Sequence, residues 1–244
     1  SRQVKSGDRN SDPNYDGVNV YGDEVSQNMK NVAQAVLNAG TSGFVQAALN
    51  LPVPPTASQI AAFKSDPNGL AAHNGFLSTD ARFKPFVAGL ANPGLLPDQN
   101  VSRTGYDERY LVDYKTQSLK ASGSLHYKFT NTIEGIAQAN WGTGTSVYTG
   151  SDRYSLRNFS IGQFKLELKG EDFFIKGYTT QERSGDSYIS SILGSYINEQ
   201  SKASKDWFSQ YVGNYIGAKA LGKTDAEAHA AARAVANQGR FEPG

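Results

Sequence analysis

Between residues 119 and 129 the chain alternates without a break. Leu119, Ala121, Gly123, Leu125, Tyr127 and Phe129 are apolar or small; Lys120, Ser122, Ser124, His126 and Lys128 between them are polar. A period of two places successive side chains on opposite faces, so this run predicts a strand with one apolar and one polar face. Thr130-Asn131 makes a tight turn. Ile133, Gly135, Ala137, Ala139 and Trp141 then alternate with Glu134, Gln138 and Asn140, interrupted only by Ile136. Residues 142–158 read as a polar, Gly- and Tyr-containing loop. Phe164, Leu166 and Leu168 alternate with Gln163, Lys165, Glu167 and Lys169, and Gly170-Glu171-Asp172 turns the chain. Phe173 to Arg183 reads as a fourth strand, whose facing is left open by the adjacent Phe173 and Phe174.

Residues 113–183 therefore predict a four-strand antiparallel meander in which short connections alternate with long ones. Strands near eleven residues exceed the roughly 5–6 of soluble proteins and match the roughly 9–11 that cross a tilted membrane. Phe129, Phe173 and Phe174 flank the short turns, while Tyr114, Trp141, Tyr154, Phe159 and Tyr188 lie towards the long-loop ends. Two such groups are expected of two interfacial aromatic girdles. Gly and Ala on the apolar faces suit lipid better than a soluble core. The other reading is a soluble sandwich or half-open barrel with a solvated Lys/Glu face. Lys120, Lys128, Glu134, Lys165, Glu167 and Lys176 are expected to form cross-strand pairs, with a substrate path as the competing role. A formal net charge of +1 gives no case for a nucleic-acid partner, and the absence of Cys excludes thiolate chemistry and disulfides.

The flanking zones differ. Residues 1–112 are rich in Pro, Gly, Asn and Ala, with turn dipeptides at Pro67-Asn68-Gly69, Asn74-Gly75 and Asn92-Pro93-Gly94. One helix is expected from near Ser26, with Gly40 as its stop. Another is expected from Thr56, where Gln59 completes a capping-box spacing. Residues 184–244 change to helical period: Tyr188, Ile189, Ile192, Leu193 and Tyr196, then Trp207, Phe208, Tyr211, Val212 and Tyr215. Thr224 with Glu227 starts an Ala-rich helix. Four strands cannot close a membrane barrel, whose smallest members have about eight. Together with the two chain ends, this gives the expectation of a piece of a longer chain.

Four stretches carry a family resemblance: Asp8-Arg-Asn-Ser-Asp-Pro-Asn-Tyr-Asp-Gly-Val-Asn-Val-Tyr-Gly-Asp-Glu24, Arg103-Thr-Gly-Tyr-Asp-Glu-Arg-Tyr-Leu-Val-Asp-Tyr114, Ser118 to Lys128, and Tyr154 to Lys165. They resemble the barrel of TonB-dependent outer-membrane receptors, in the branch with a carboxypeptidase-regulatory-like N-terminal domain. The resemblance implies an all-β fold: an antiparallel transmembrane β-barrel of about 22 strands, with helical extracellular loop insertions. On that reading residues 1–112 are early barrel and extracellular loop, 113–183 are four transmembrane strands, and 184–244 are a helical extracellular loop. The plug domain and the other strands lie outside this sequence. The implied function is energised ligand uptake across the outer membrane of a Gram-negative bacterium. Its partners are outer-membrane lipids, TonB through an N-terminal region not in this sequence, and a surface lipoprotein. The alternative is a non-transport binding or structural module, either a soluble β-domain or a receptor-like barrel recruited into an envelope assembly.

Candidate chemistry is sparse. Asp12, Asn14 and Asp16 before Gly17 match the start of a D-x-N-x-D-G calcium loop, with Asp23 at the twelfth position. The competing reading is an Asx/Gly turn with solvated carboxylates. No cofactor is required, and Ca²⁺ is the one metal the spacing suggests. Tyr188, Tyr196, Trp207, Tyr211 and Tyr215 are candidate ligand-facing aromatics, with helix packing as the competing role. His73, His126 and His229 are dispersed, and no constellation expected of an enzyme occurs.

Overall fold

The structure, a computed structural model, describes residues 12–242. In chain order its elements are β1 (Val20–Tyr21), β2 (Ser26–Asn28), α1 (Met29–Ala48), α2 (Ala57–Ser65), α3 (Pro67–Thr79) and α4 (Lys84–Ala91). There follow β3 (Asn100–Ser102), β4 (Tyr106–Asp107), a 3-10 turn (Glu108–Tyr110), β5 (Gln117–Lys128) and β6 (Glu134–Thr149). The chain continues as β7 (Arg153–Lys169), β8 (Phe174–Arg183), β9 (Tyr188–Ile189), α5 (Ser190–Ser201), α6 (Ser204–Ala220) and α7 (Asp225–Ala236). The chain divides into two compact units. Tyr106–Gly194 form a sheet unit; of the other described residues, 12–105 and 195–242 form a helical unit. The expectation of an all-β chain is thus corrected. The described residues combine antiparallel sheet with seven α-helices, and their sheet does not close into a barrel.

In the sheet unit β5, β6, β7 and β8 pair in sequence order, all antiparallel, and β9 pairs with the start of β7. The turns obey local rules. Phe129 donates its N–H to Ile133 C=O at 2.9 Å, and Gly170 N–H donates to Phe173 C=O at 2.8 Å. The expected loop at 142–158 is instead strand. β6 runs to Thr149, β7 starts at Arg153, and only Gly150–Asp152 turn, closed by Gly150 N–H on Asp152 C=O at 2.9 Å. Tyr148 faces Tyr154 across this hairpin, rings stacked at 5.0 Å. Register also fixes the facing of β8. Leu166 pairs with Gly177 and Leu168 with Ile175, so Ile175, Gly177 and Thr179 join the apolar face while Phe174, Lys176 and Tyr178 join the polar one.

A buried ion pair fastens the segment before β5. Glu108 is 1% exposed and accepts from Arg153 Nε at 2.9 Å, Arg153 Nη2 at 2.7 Å and the Tyr114 hydroxyl at 2.8 Å. Burial, then the Glu108 carboxylate, raises the Tyr114 pKa.

In the helical unit Asn28 caps α1 by accepting from Lys30 and Asn31 N–H. The helix then runs straight through the expected stop at Gly40. A Cβ there would lie 2.5 Å from the Phe83 ring, so this glycine serves close packing rather than termination. The turn dipeptides at 67–75 also lie inside a helix, α3, started by Asp66 as N-cap with Pro67 in its first turn. Met29, Val32, Phe86, Leu96, Trp207, Phe208, Tyr211 and Ile216 build one core, closed by Ala228, Ala232 and Ala236 of α7. The capping boxes expected at Thr56 and Thr224 both form.

Candidate functional site

The apolar face of the sheet is assembled by register. Leu119, Ala121, Gly123, Leu125 and Tyr127 of β5 face Thr143, Trp141, Ala139, Ala137 and Gly135 of β6. Those β6 positions in turn face Ser160, Gly162, Phe164, Leu166 and Leu168 of β7. Its central side chains are exposed: Leu125 by 70%, Leu166 by 69% and Ile175 by 66%. Along β6 the small residues Gly135, Ala137 and Ala139 form a low track between the taller side chains of β5 and β7. The resulting depression around Gly123, Ala139 and Gly177 measures about 630 Å³. Phe129 covers Gly135, whose hypothetical Cβ would lie 2.7 Å from the ring.

The opposite face is polar and also open to solvent. His126 on β5 meets Glu134 on β6 at 3.0 Å, a cross-strand pair. Lys165 instead pairs with Glu167 of its own strand at 3.1 Å, two residues on and therefore on the same face.

Hydrogen bonds engage the side chains of the expected calcium loop. Asp12 Oδ1 accepts Asn14 N–H at 2.8 Å, and Asn14 Oδ1 accepts the Ser26 hydroxyl at 2.5 Å. Asp23 is buried and its Oδ2 accepts Gly17 N–H at 3.1 Å. The geometry is that of an Asx turn. Among the described residues no three or more His, Asp or Glu side chains gather where they could hold a metal, so Asp12, Asp16 and Asp23 are not brought together. Calcium binding by this loop is an expectation from spacing alone. Residues 8–11 of the first resembling stretch lie outside the described residues.

The candidate aromatics separate. Trp207, Tyr211 and Tyr215 are at most 2% exposed and pack the helical core, so their ligand-facing role is corrected: helical period aimed them inward. Tyr188 is half-buried in the sheet unit, donating its hydroxyl to Leu111 C=O at 2.5 Å. Tyr196 alone is exposed, at 61%.

Sequence reasoning missed a charged cluster around Trp207. The Arg103 and Arg233 guanidinium carbons lie 5.8 and 5.6 Å from its ring centre, a cation–π arrangement. Arg233 donates to Pro13 C=O at 2.9 Å, Ser102 C=O at 2.9 Å and Thr104 Oγ1 at 3.1 Å. Arg103 donates to Asn198 C=O at 3.1 Å and Ser204 Oγ at 2.9 Å. Nearby, His229 Nδ1 lies 2.8 Å from the Tyr211 hydroxyl, and burial, followed by the Arg233 charge, lowers its pKa to about 4. The one trace in the sequence was the spacing of Asp225, His229 and Arg233, four residues apart on a helix. The same unit holds a groove of about 910 Å³ between α1, α6 and Phe76, Arg82 and Phe83, floored by Ala35, Ala39 and Gly43. No protein-family model, curated protein or solved structure matches this chain.

Proposed function

We propose that this chain supplies neighbouring strands to the wall of an outer-membrane β-barrel, and that the parent barrel is a TonB-dependent transporter for energised ligand uptake. One observation carries the membrane reading: within the sheet unit a single layer of long strands presents a continuous, exposed apolar face. In water so large an apolar patch is a liability, because monomeric proteins rarely expose more than a few hundred Å² contiguously. From Leu119 to Phe129 the face spans ten residue steps. At about 3.3 Å each and a tilt near 40°, these rise roughly 25 Å, the height of a barrel's apolar band. Among the described residues the long outer edges of β5 and β8 have no strand beside them, and a closed barrel would provide neighbours. Uptake, TonB and a surface lipoprotein rest on the family resemblance alone. A binding or structural role is the second reading, supported by the separate packed core of the helical unit.

The test is to locate the native polypeptide carrying these residues by peptide mapping of cell fractions. Retention in the outer membrane after a high-salt wash, with release only by detergent, is the expected result. Recovery in the soluble fraction overturns the membrane reading. Membrane retention without uptake that depends on TonB leaves the recruited-barrel reading. Leu166→Arg checks the facing: at the bilayer midplane it should cost about 2–4 kcal/mol of folding stability in lipid vesicles. An exposed surface position in a soluble sheet should change by less than about 0.5 kcal/mol.

A further inference from the structure

We propose that α6 and α7 form an acid-sensitive latch: protonation of His229 releases α7 and, with it, the Arg233 clasp on Pro13, Ser102 and Thr104.

The geometry gives α7 a weak apolar grip and a strong polar one. Its buried residues are Ala228, Ala232 and Ala236. Alanines remove little apolar area from water compared with Leu or Phe. What else holds the helix is polar. His229 meets Tyr211, Arg233 holds three groups on two other segments, and the Trp207 indole donates to Asn237 Oδ1 at 3.0 Å just past the helix end. The His229 ring also lies 4.5 Å from the Tyr215 ring centre and 6.1 Å from that of Tyr211.

We take the neutral imidazole to carry its proton on Nε2, so that Nδ1 accepts from the Tyr211 hydroxyl. A second proton makes Nδ1 a donor, so the Tyr211 O–H, buried in the core, loses its acceptor and must turn away. The charges facing His229 add to the cost. From α7 it meets Asp225 and Arg233, and from α6 Lys219 besides the two tyrosines. Two cations thus face one anion, and Asp225 is already engaged by Lys219 Nζ at 2.7 Å and the Tyr215 hydroxyl at 3.1 Å. The Lys219 contact keeps Asp225 below the usual carboxylate range, so it stays ionised as His229 titrates.

The direction follows from linkage. The docked imidazole titrates near 4, against about 6.5 when released. The released state therefore binds more protons between those values. Docking is at full strength above about pH 6.5 and weakens as pH falls towards 4.

Two measurements on the intact chain test this. In the first, the ring signals of the three histidines are followed by NMR from pH 7.5 to 4. His229 should titrate below pH 5, and a midpoint near 6.5 with α7 still protected overturns the latch. In the second, amide exchange, corrected for its intrinsic pH dependence, is measured in α7 and at Ser102–Thr104. Opening should rise several-fold per pH unit below 6, up to about tenfold. His229→Gln keeps an acceptor and should flatten that slope; the same slope in this variant, or none in the unmutated chain, also overturns the proposal. The histidine titration needs no variant and decides the matter if His229→Gln does not fold.

Discussion

The two tryptophans of the chain occupy opposite surroundings. Trp207 is 2% exposed among Phe208, Tyr211 and two guanidinium groups, whereas Trp141 is 42% exposed on a sheet face. The helical unit uses its large side chains as a core in the ordinary aqueous sense. The sheet unit is also rich in Leu, Phe and Tyr but leaves most of them exposed. The same residue types are thus withdrawn from water in one unit and left exposed in the other.

The sharpest way to break this contrast is paired truncation. Trp207→Ala should cost about 3–5 kcal/mol in urea unfolding of the helical unit. Leu125→Ala, on the sheet, should change stability in water by less than about 0.5 kcal/mol, because an exposed side chain leaves no cavity. Equal losses would show that the sheet face is covered. Within the sheet unit, Glu108→Ala tests whether polar burial replaces the missing core. It strips the carboxylate from Arg153 and Tyr114 and should cost about 2 kcal/mol, below the usual 3–5 for a broken buried pair because Arg153 keeps some access to water. A change within error in thermal unfolding would place the fastening of the 106–114 segment elsewhere. The smallest effect separates two identical caps. Thr224→Ala should cost about 1 kcal/mol, since α7 closes the core. Thr56→Ala should fray α2 in hydrogen exchange without moving the global transition, because α2 buries no residue.

Much of the fold was legible where one physical rule acted alone. Period two from 119 to 129 located β5 and its two faces, and both capping boxes marked true helix starts. The failures have common causes. Gly40 reads as punctuation because sequence shows its freedom, while the structure uses its lack of a side chain against Phe83. Residues 142–158 read as loop because strong alternation reports an apolar face, and the hairpin beyond Gly144 is held by pairing and by Tyr148 on Tyr154. The Asp66-Pro67 helix start was masked by Asn-Gly pairs that look like turns. Beyond the four-residue spacing of Asp225, His229 and Arg233, the cluster left no trace in the sequence because its partners lie as far away as Pro13 and Ser102.

The unbroken pairing of β6 with both neighbours from Glu134 to Gly144 has a genetic counterpart. Insertion of a single codon there would swap the faces of every later residue in the strand, turning Gln138 and Asn140 towards the side now held by Ala137 and Ala139. At Gly150–Asp152, where no strand pairing is interrupted, added codons only lengthen a turn. Length variation in this gene should therefore collect at the hairpin tip and be purged from the strand interior, whatever the substitutions tolerated at each site.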